Sequence, residues 1–91
     1  MRVYNIDDYS GILPQRVIEE WEKSEERVIV VSQHNTEYLA GLLRQIGLPD
    51  AIMIGDNMVR IGIEQPPDYF VQCKNLDDVL QVVRSLLQDY K

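Results

Sequence analysis

Asp7 and Asp8 follow directly on the stretch Arg2-Val3-Tyr4-Asn5-Ile6, and Asp56 follows on Ala51-Ile52-Met53-Ile54-Gly55. In an open parallel sheet the carboxyl ends of the strands line one crevice, so acids at the ends of two adjacent strands can meet there. Two or three carboxylates with retained waters suit a small, hard divalent cation. The expected chemistry is therefore a Mg2+ site built by Asp7, Asp8 and Asp56, able to hold a phosphoryl group. Ser32 ends another apolar run, Val28-Ile29-Val30-Val31, where its hydroxyl can hold a phosphoryl oxygen. The same residue types also have ordinary duties. Asp caps helices and forms turns, and a Ser at a strand end bonds the backbone of the next turn. His34 stands close by, with no second member of a nucleophilic triad in view.

Hydrophobic periodicity gives the elements that must position these groups. A first strand is expected over Arg2 to Ile6, then the turn-rich Asp8-Tyr9-Ser10-Gly11. Pro14 suits the first turn of a helix whose Leu13, Val17, Ile18 and Trp21 form the buried stripe, opposite Glu19, Glu20, Glu22 and Lys23. Val28 to Val31 is a β-branched run of the kind covered on both faces of a sheet. Asn35 is the expected N-cap of a second helix, with Leu39, Leu42, Leu43 and Ile46 on one side and Gly47 as its stop.

Only Gly55-Asp56-Asn57 separates the third strand, Ala51 to Ile54, from the fourth, Met58 to Ile63. A parallel return needs a dozen or more residues, so this pair is an antiparallel hairpin. Alternation of Val59, Ile61 and Ile63 with Met58, Arg60 and Gly62 marks the fourth strand as peripheral and less covered. Pro66-Pro67 breaks it. A short fifth strand covers Tyr69 to Cys73, and a final helix carries Leu76, Val79, Leu80, Val83, Leu86 and Leu87, with Lys91 favourably placed at its negative end. The expected fold is one α/β domain over 1–91: a small mixed sheet of about five strands in the order β-α-β-α-β-β-β-α, helices on both faces. Right-handed crossovers from a parallel start are expected to put strand one between strands two and three.

A chain of 91 residues has room for one core. Nine Lys and Arg, scattered among fifteen Asp and Glu, leave a net charge of -6, which argues against nucleic acid. Cys73 and His34 are each single, so neither an internal disulfide nor a Cys/His metal cluster can form, and a reducing, cytoplasmic setting is expected. The apolar runs fall short of the ~20 residues of a spanning helix, and no membrane association is expected. Glu19, Glu20, Glu22, Glu25 and Glu26 form either a solvated helix face or a docking surface for a basic protein. Cys73 is read as a small core thiol.

The segments MRVYNIDDYSG, LLRQIGLPDAIMIGDNM and PPDYFVQCKNLDDVLQVVRSLL resemble, in turn, the opening strand, the acceptor strand and the closing strand and helix of response-regulator receiver domains. The resemblance implies a three-layer fold, a Mg2+ bound by Asp7 and Asp8, and a phosphate-binding Lys at Lys74. In the receiver spacing, Pro49-Asp50 and four apolar residues put the phosphoacceptor position on Gly55, with Asp56 one residue late. The resemblance is thus to a shortened receiver whose phosphorylation site is lost or weakened. Haloacid-dehalogenase phosphatases are similar through NIDDYSG, VIVVSQ and IMIGDN, but their nucleophile would fall on Asn5, whose amide cannot attack phosphorus.

Two functions are expected from these readings. The first is a non-enzymatic regulatory or protein-interaction module that can self-associate as a homodimer through an exposed sheet edge. The alternative is a metal-dependent phosphoryl-transfer or phosphatase-like enzyme using Asp7, Asp8 and Asp56, with Ser32 and Lys74 on the phosphate.

Overall fold

Val28-Ile29-Val30-Val31 and Ala51-Ile52-Met53-Ile54 hold the centre of the fold because apolar side chains on both faces need cover on both faces. A computed structural model of the chain describes residues 2–9, 12–25, 27–47 and 51–89. Ser10, Gly11, Glu26, Pro49, Asp50 and Lys91 lie outside the described residues. The strands are β1 (Arg2–Asn5), β2 (Val28–Ser32), β3 (Ala51–Gly55), β4 (Met58–Ile61) and β5 (Tyr69–Gln72). The helices are α1 (Gln15–Lys23), α2 (Thr36–Ile46) and α3 (Leu76–Asp89), and a single 3-10 turn, Ile6–Tyr9, follows β1.

The sheet runs β1-β2-β3-β4-β5. β1, β2 and β3 are parallel, β4 is antiparallel to β3, and β5 is antiparallel to β4. The expectation that β1 would lie between β2 and β3 is overturned: β2 is between β1 and β3. The consequence is mechanical. Right-handed crossovers that keep advancing in one direction put their helices on one face. Leu13, Val17 and Trp21 of the α1 segment and Leu39, Ala40 and Leu43 of α2 accordingly share one core with Val28, Val30, Ala51 and Met53. The opposite face is covered by α3, where Val79 and Val83 meet Ile29, Ile52 and Val59. The result is three layers, with helices on both faces.

The local signals explain most boundaries. Asn35 Oδ1 accepts the Tyr38 N–H at 2.9 Å, and Gly47 ends α2 in the left-handed region at φ 75°. Asp56 and Asn57 both have positive φ, at 51° and 58°, the pair of conformations a two-residue type I′ hairpin needs. Asn75 Oδ1 accepts the Asp78 N–H at 3.0 Å, capping α3.

Two further expectations are corrected. β4 is not peripheral: it is hydrogen-bonded to β3 and β5, and both Val59 and Arg60 are buried. Leu76 and Leu80 are exposed, at 63% and 51%, because α3 turns Val79, Val83 and the partly buried Val82, Leu86 and Leu87 toward the sheet. The apolar stripe of α3 is wider than the surface available to cover it.

Candidate functional site

The strand order decides what gathers at the carboxyl edge of the sheet. β1 and β3 flank β2, so their ends are about 9.6 Å apart, two strand spacings. Asp7 therefore meets the end of β2. Its Oδ1 accepts the Ser32 hydroxyl at 2.9 Å and its Oδ2 accepts the Gln33 N–H at 2.7 Å. Ser32 Oγ in turn accepts the His34 N–H at 3.0 Å, and the Asp7 N–H donates to Asn5 Oδ1 at 3.0 Å. The Gln33 amide, then the Ser32 hydroxyl, hold the Asp7 carboxyl below its ordinary range, with a smaller contribution from His34. This is a polar clasp joining β1 to the loop that starts α2.

Asp8 is exposed, and Asp56 is exposed at the hairpin tip beyond β3. Among the described residues no three His, Cys, Asp or Glu side chains are grouped to hold a metal ion. Lys74 is exposed beyond β5, four strands from β1, or roughly 19 Å along the sheet. Asp7 and Ser32 are thus brought together. Asp56 and Lys74 are held away from them. His34 is exposed, its ring tilted against Tyr38 at 4.3 Å, and Cys73 is half-buried against the α3 core.

At Gly55, where the receiver resemblance puts an acceptor, a Cβ would run into the His34 carbonyl oxygen and lie 3.1 Å from the Asn35 carbonyl carbon. No side chain fits there. The loop after β2, tied down by Asp7, crosses directly over this strand end.

A concave feature lies on the α1/α2 face beyond α2. A cavity of about 350 Å³ is lined by Asn35, Thr36 and Glu37 of the α2 start, Met58 and Arg60 of β4, Phe70 of β5, and Gln65 and Pro67 of the connecting loop. Arg60 is its unusual member. The residue is 3% exposed, donates Nε to Gly62 O at 2.8 Å and Nη2 to Glu64 O at 2.9 Å, and among the described residues forms no ion pair with a carboxylate. Its Nη1 takes no hydrogen bond among the described residues, yet is not sealed from solvent. Gly62, at φ 99°, lets the loop turn back so closely that a Cβ there would lie 3.0 Å from Asp68 N. Arg44 of α2 donates to Ile63 O, fixing the same loop from the other side. Gln65 Nε2 donates to Glu37 Oε1 at 3.0 Å.

Sequence reasoning missed Arg60 because alternation assigned it to a solvent-facing side. The carbonyls that satisfy its guanidinium come from the loop that follows, and nothing in residue types announces a turn that returns main-chain oxygens to a preceding strand. The one signal was a lone cation between Val59 and Ile61 in a strand too apolar to be an outlier.

No protein-family model, curated protein or solved structure matches this chain.

Proposed function

We propose that this chain is a non-enzymatic protein-interaction module that pairs through the open edge of β5, with a second copy of itself as the partner that edge fits. The observation that carries the reading is the difference between the two sheet edges. β1 is guarded: Arg2 lies 3.7 Å from Glu20, whose carboxylate also accepts the Tyr4 hydroxyl at 3.4 Å. β5 reads Tyr-Phe-Val-Gln, with no charge and no Pro, and leaves Tyr69 and Phe70 exposed at 38% and 48%. Natural sheets protect such edges with Lys, Pro or a bulge, so an unguarded edge is a template for another strand. Antiparallel pairing of β5 with its own copy is two-fold symmetric and opposes no like charges within the strand, which matters for a chain of net charge -6. The separation of Asp56 and Lys74 from the Asp7 clasp supports an interaction role over phosphoryl chemistry.

The test is the concentration dependence of mass, followed by light scattering after size exclusion, for the wild type and for Tyr69→Lys/Gln72→Lys. Both residues are exposed and neither lines the cavity. A concentration-dependent dimer that the double substitution abolishes supports the reading. A wild type that stays monomeric into the high micromolar range, or a dimer indifferent to these lysines, overturns it.

A further inference from the structure

We infer that the cavity beside Arg60 binds a small zwitterion with an apolar body, of the chemical class of a free α-amino acid with an aliphatic or thioether side chain. This goes beyond strand pairing at β5 and stands or falls independently of it.

Among the described residues the Arg60 guanidinium is held by main-chain carbonyls alone, with no counter-charge in an ion pair. A buried guanidinium is costly to desolvate, and Arg60 has only two neutral carbonyls to compensate it. An incoming carboxylate is the complement that a guanidinium recognises best. The same end of the cavity offers main-chain donors. Of the first four N–H groups of α2, that of Tyr38 is taken by Asn35 Oδ1 and that of Leu39 by Asn35 O. Those of Thr36 and Glu37 have no bond among the described residues, and both residues line the cavity. α2 is 11 residues long, so its positive end reinforces these donors.

A purely anionic ligand does not fit the rest of the wall. Glu37 also lines the cavity, and its carboxylate, held at Oε1 by Gln65, has Oε2 left over. A phosphate or dicarboxylate would meet that charge. A molecule bearing an ammonium as well as a carboxylate would satisfy both Arg60 and Glu37. Between them Met58, Pro67 and the half-exposed Phe70 give an apolar surface for a side chain. The volume of about 350 Å³ is at the small end of ligand pockets, which suits a single amino acid better than a nucleotide.

The experiment uses the full chain and titrates L-leucine, L-methionine and L-phenylalanine by calorimetry and thermal shift. Three leucine derivatives separate the recognised groups: the 2-hydroxy acid lacks the ammonium, leucinamide lacks the carboxylate, and N-acetyl-leucine lacks the ammonium and adds bulk. Inorganic phosphate tests for simple anion binding. The expected result is binding of at least one free amino acid tighter than about 1 mM. The hydroxy acid and the amide should each bind at least about tenfold more weakly, because each leaves a charged wall group unmatched. Amide shifts in a two-dimensional NMR spectrum should centre on Thr36, Glu37, Met58 and Phe70.

Arg60→Met removes the carboxylate partner but also frees the loop carbonyls, so the exposed Glu37→Gln is the decisive variant. It should lower affinity for the amino acid while raising that for the hydroxy acid, which no longer faces an unmatched carboxylate. Absence of binding by any amino acid, equal binding of leucine and its hydroxy acid, phosphate competing as well as the zwitterion, or shifts centred elsewhere would each overturn the inference.

Discussion

The Ser32 hydroxyl donates to the Asp7 carboxylate across 2.9 Å, and this one bond joins the first strand's end to the second's, 25 residues later. The two residues that were expected to hold metal and phosphate are hydrogen-bonded to one another. Because the Asp7 oxygens accept from Ser32 and Gln33, the clasp also sets the path of the loop over Gly55.

That clasp predicts an acid limb in stability. The Asp7 carboxyl titrates below its ordinary value when folded, so its contribution is present above the unfolded value near ~3.9 and is lost as pH falls through the lower folded value. Asp7→Asn should therefore melt at lower temperature than wild type at pH 7, and the two melting temperatures should converge as pH falls below about 4. Calorimetric melts from pH 7 to pH 3 check this. Curves that stay parallel would remove the ionised clasp.

Leu43 is 0% exposed in the core between α2 and the sheet, whereas Leu80 is 51% exposed. Leu43→Ala should cost about 2–5 kcal/mol in urea unfolding, through lost burial and the cavity left behind. Leu80→Ala should stay within about 0.5 kcal/mol.

Two glycines give opposite outcomes on the same substitution. Gly41 lies mid-helix in α2 with nothing within 4 Å of an added Cβ, so Gly41→Ala should stabilise by about 1 kcal/mol. Gly55→Ala drives a methyl into the His34 carbonyl and must displace the loop, so it should destabilise and weaken the Ser32–Asp7 contact. Thermal melts of the two variants, run side by side, test whether the crossing loop is rigid.

At the hairpin tip both central residues have positive φ. Replacing Asp56-Asn57 by Asn-Gly should raise stability, since that pair suits a type I′ turn best, while Asp56→Val should lower it. Neither effect should change on adding Mg2+. A Mg2+-dependent difference in melting would return Asp56 to a metal-binding role.

The elements themselves were legible. Asn35, Gly47 and Asn75 carry local signals for helix ends, and the three residues from Gly55 to Asn57 leave room for nothing but a hairpin. The strand order was not legible, because both possible places for β1 use the same right-handed crossovers and similar apolar faces. That single ambiguity moved the candidate site. With β1 beside β3, Asp7 and Asp56 would be neighbours; with β2 between them, Asp7 finds Ser32. Arg60 was hidden for a related reason, since its partners are loop carbonyls and not side chains.

The sequential strand order also bears on how the chain acquires its structure during synthesis. β2 finds β1 already made, β3 finds β2, and β4 and β5 add by local return. No strand has to insert between two earlier ones, so the sheet can extend outward at a single front as the ribosome delivers it. Among the strand pairings the two parallel ones need the helical crossovers, and the clasp of Asp7 on Ser32 locks the first of them as soon as β2 is complete.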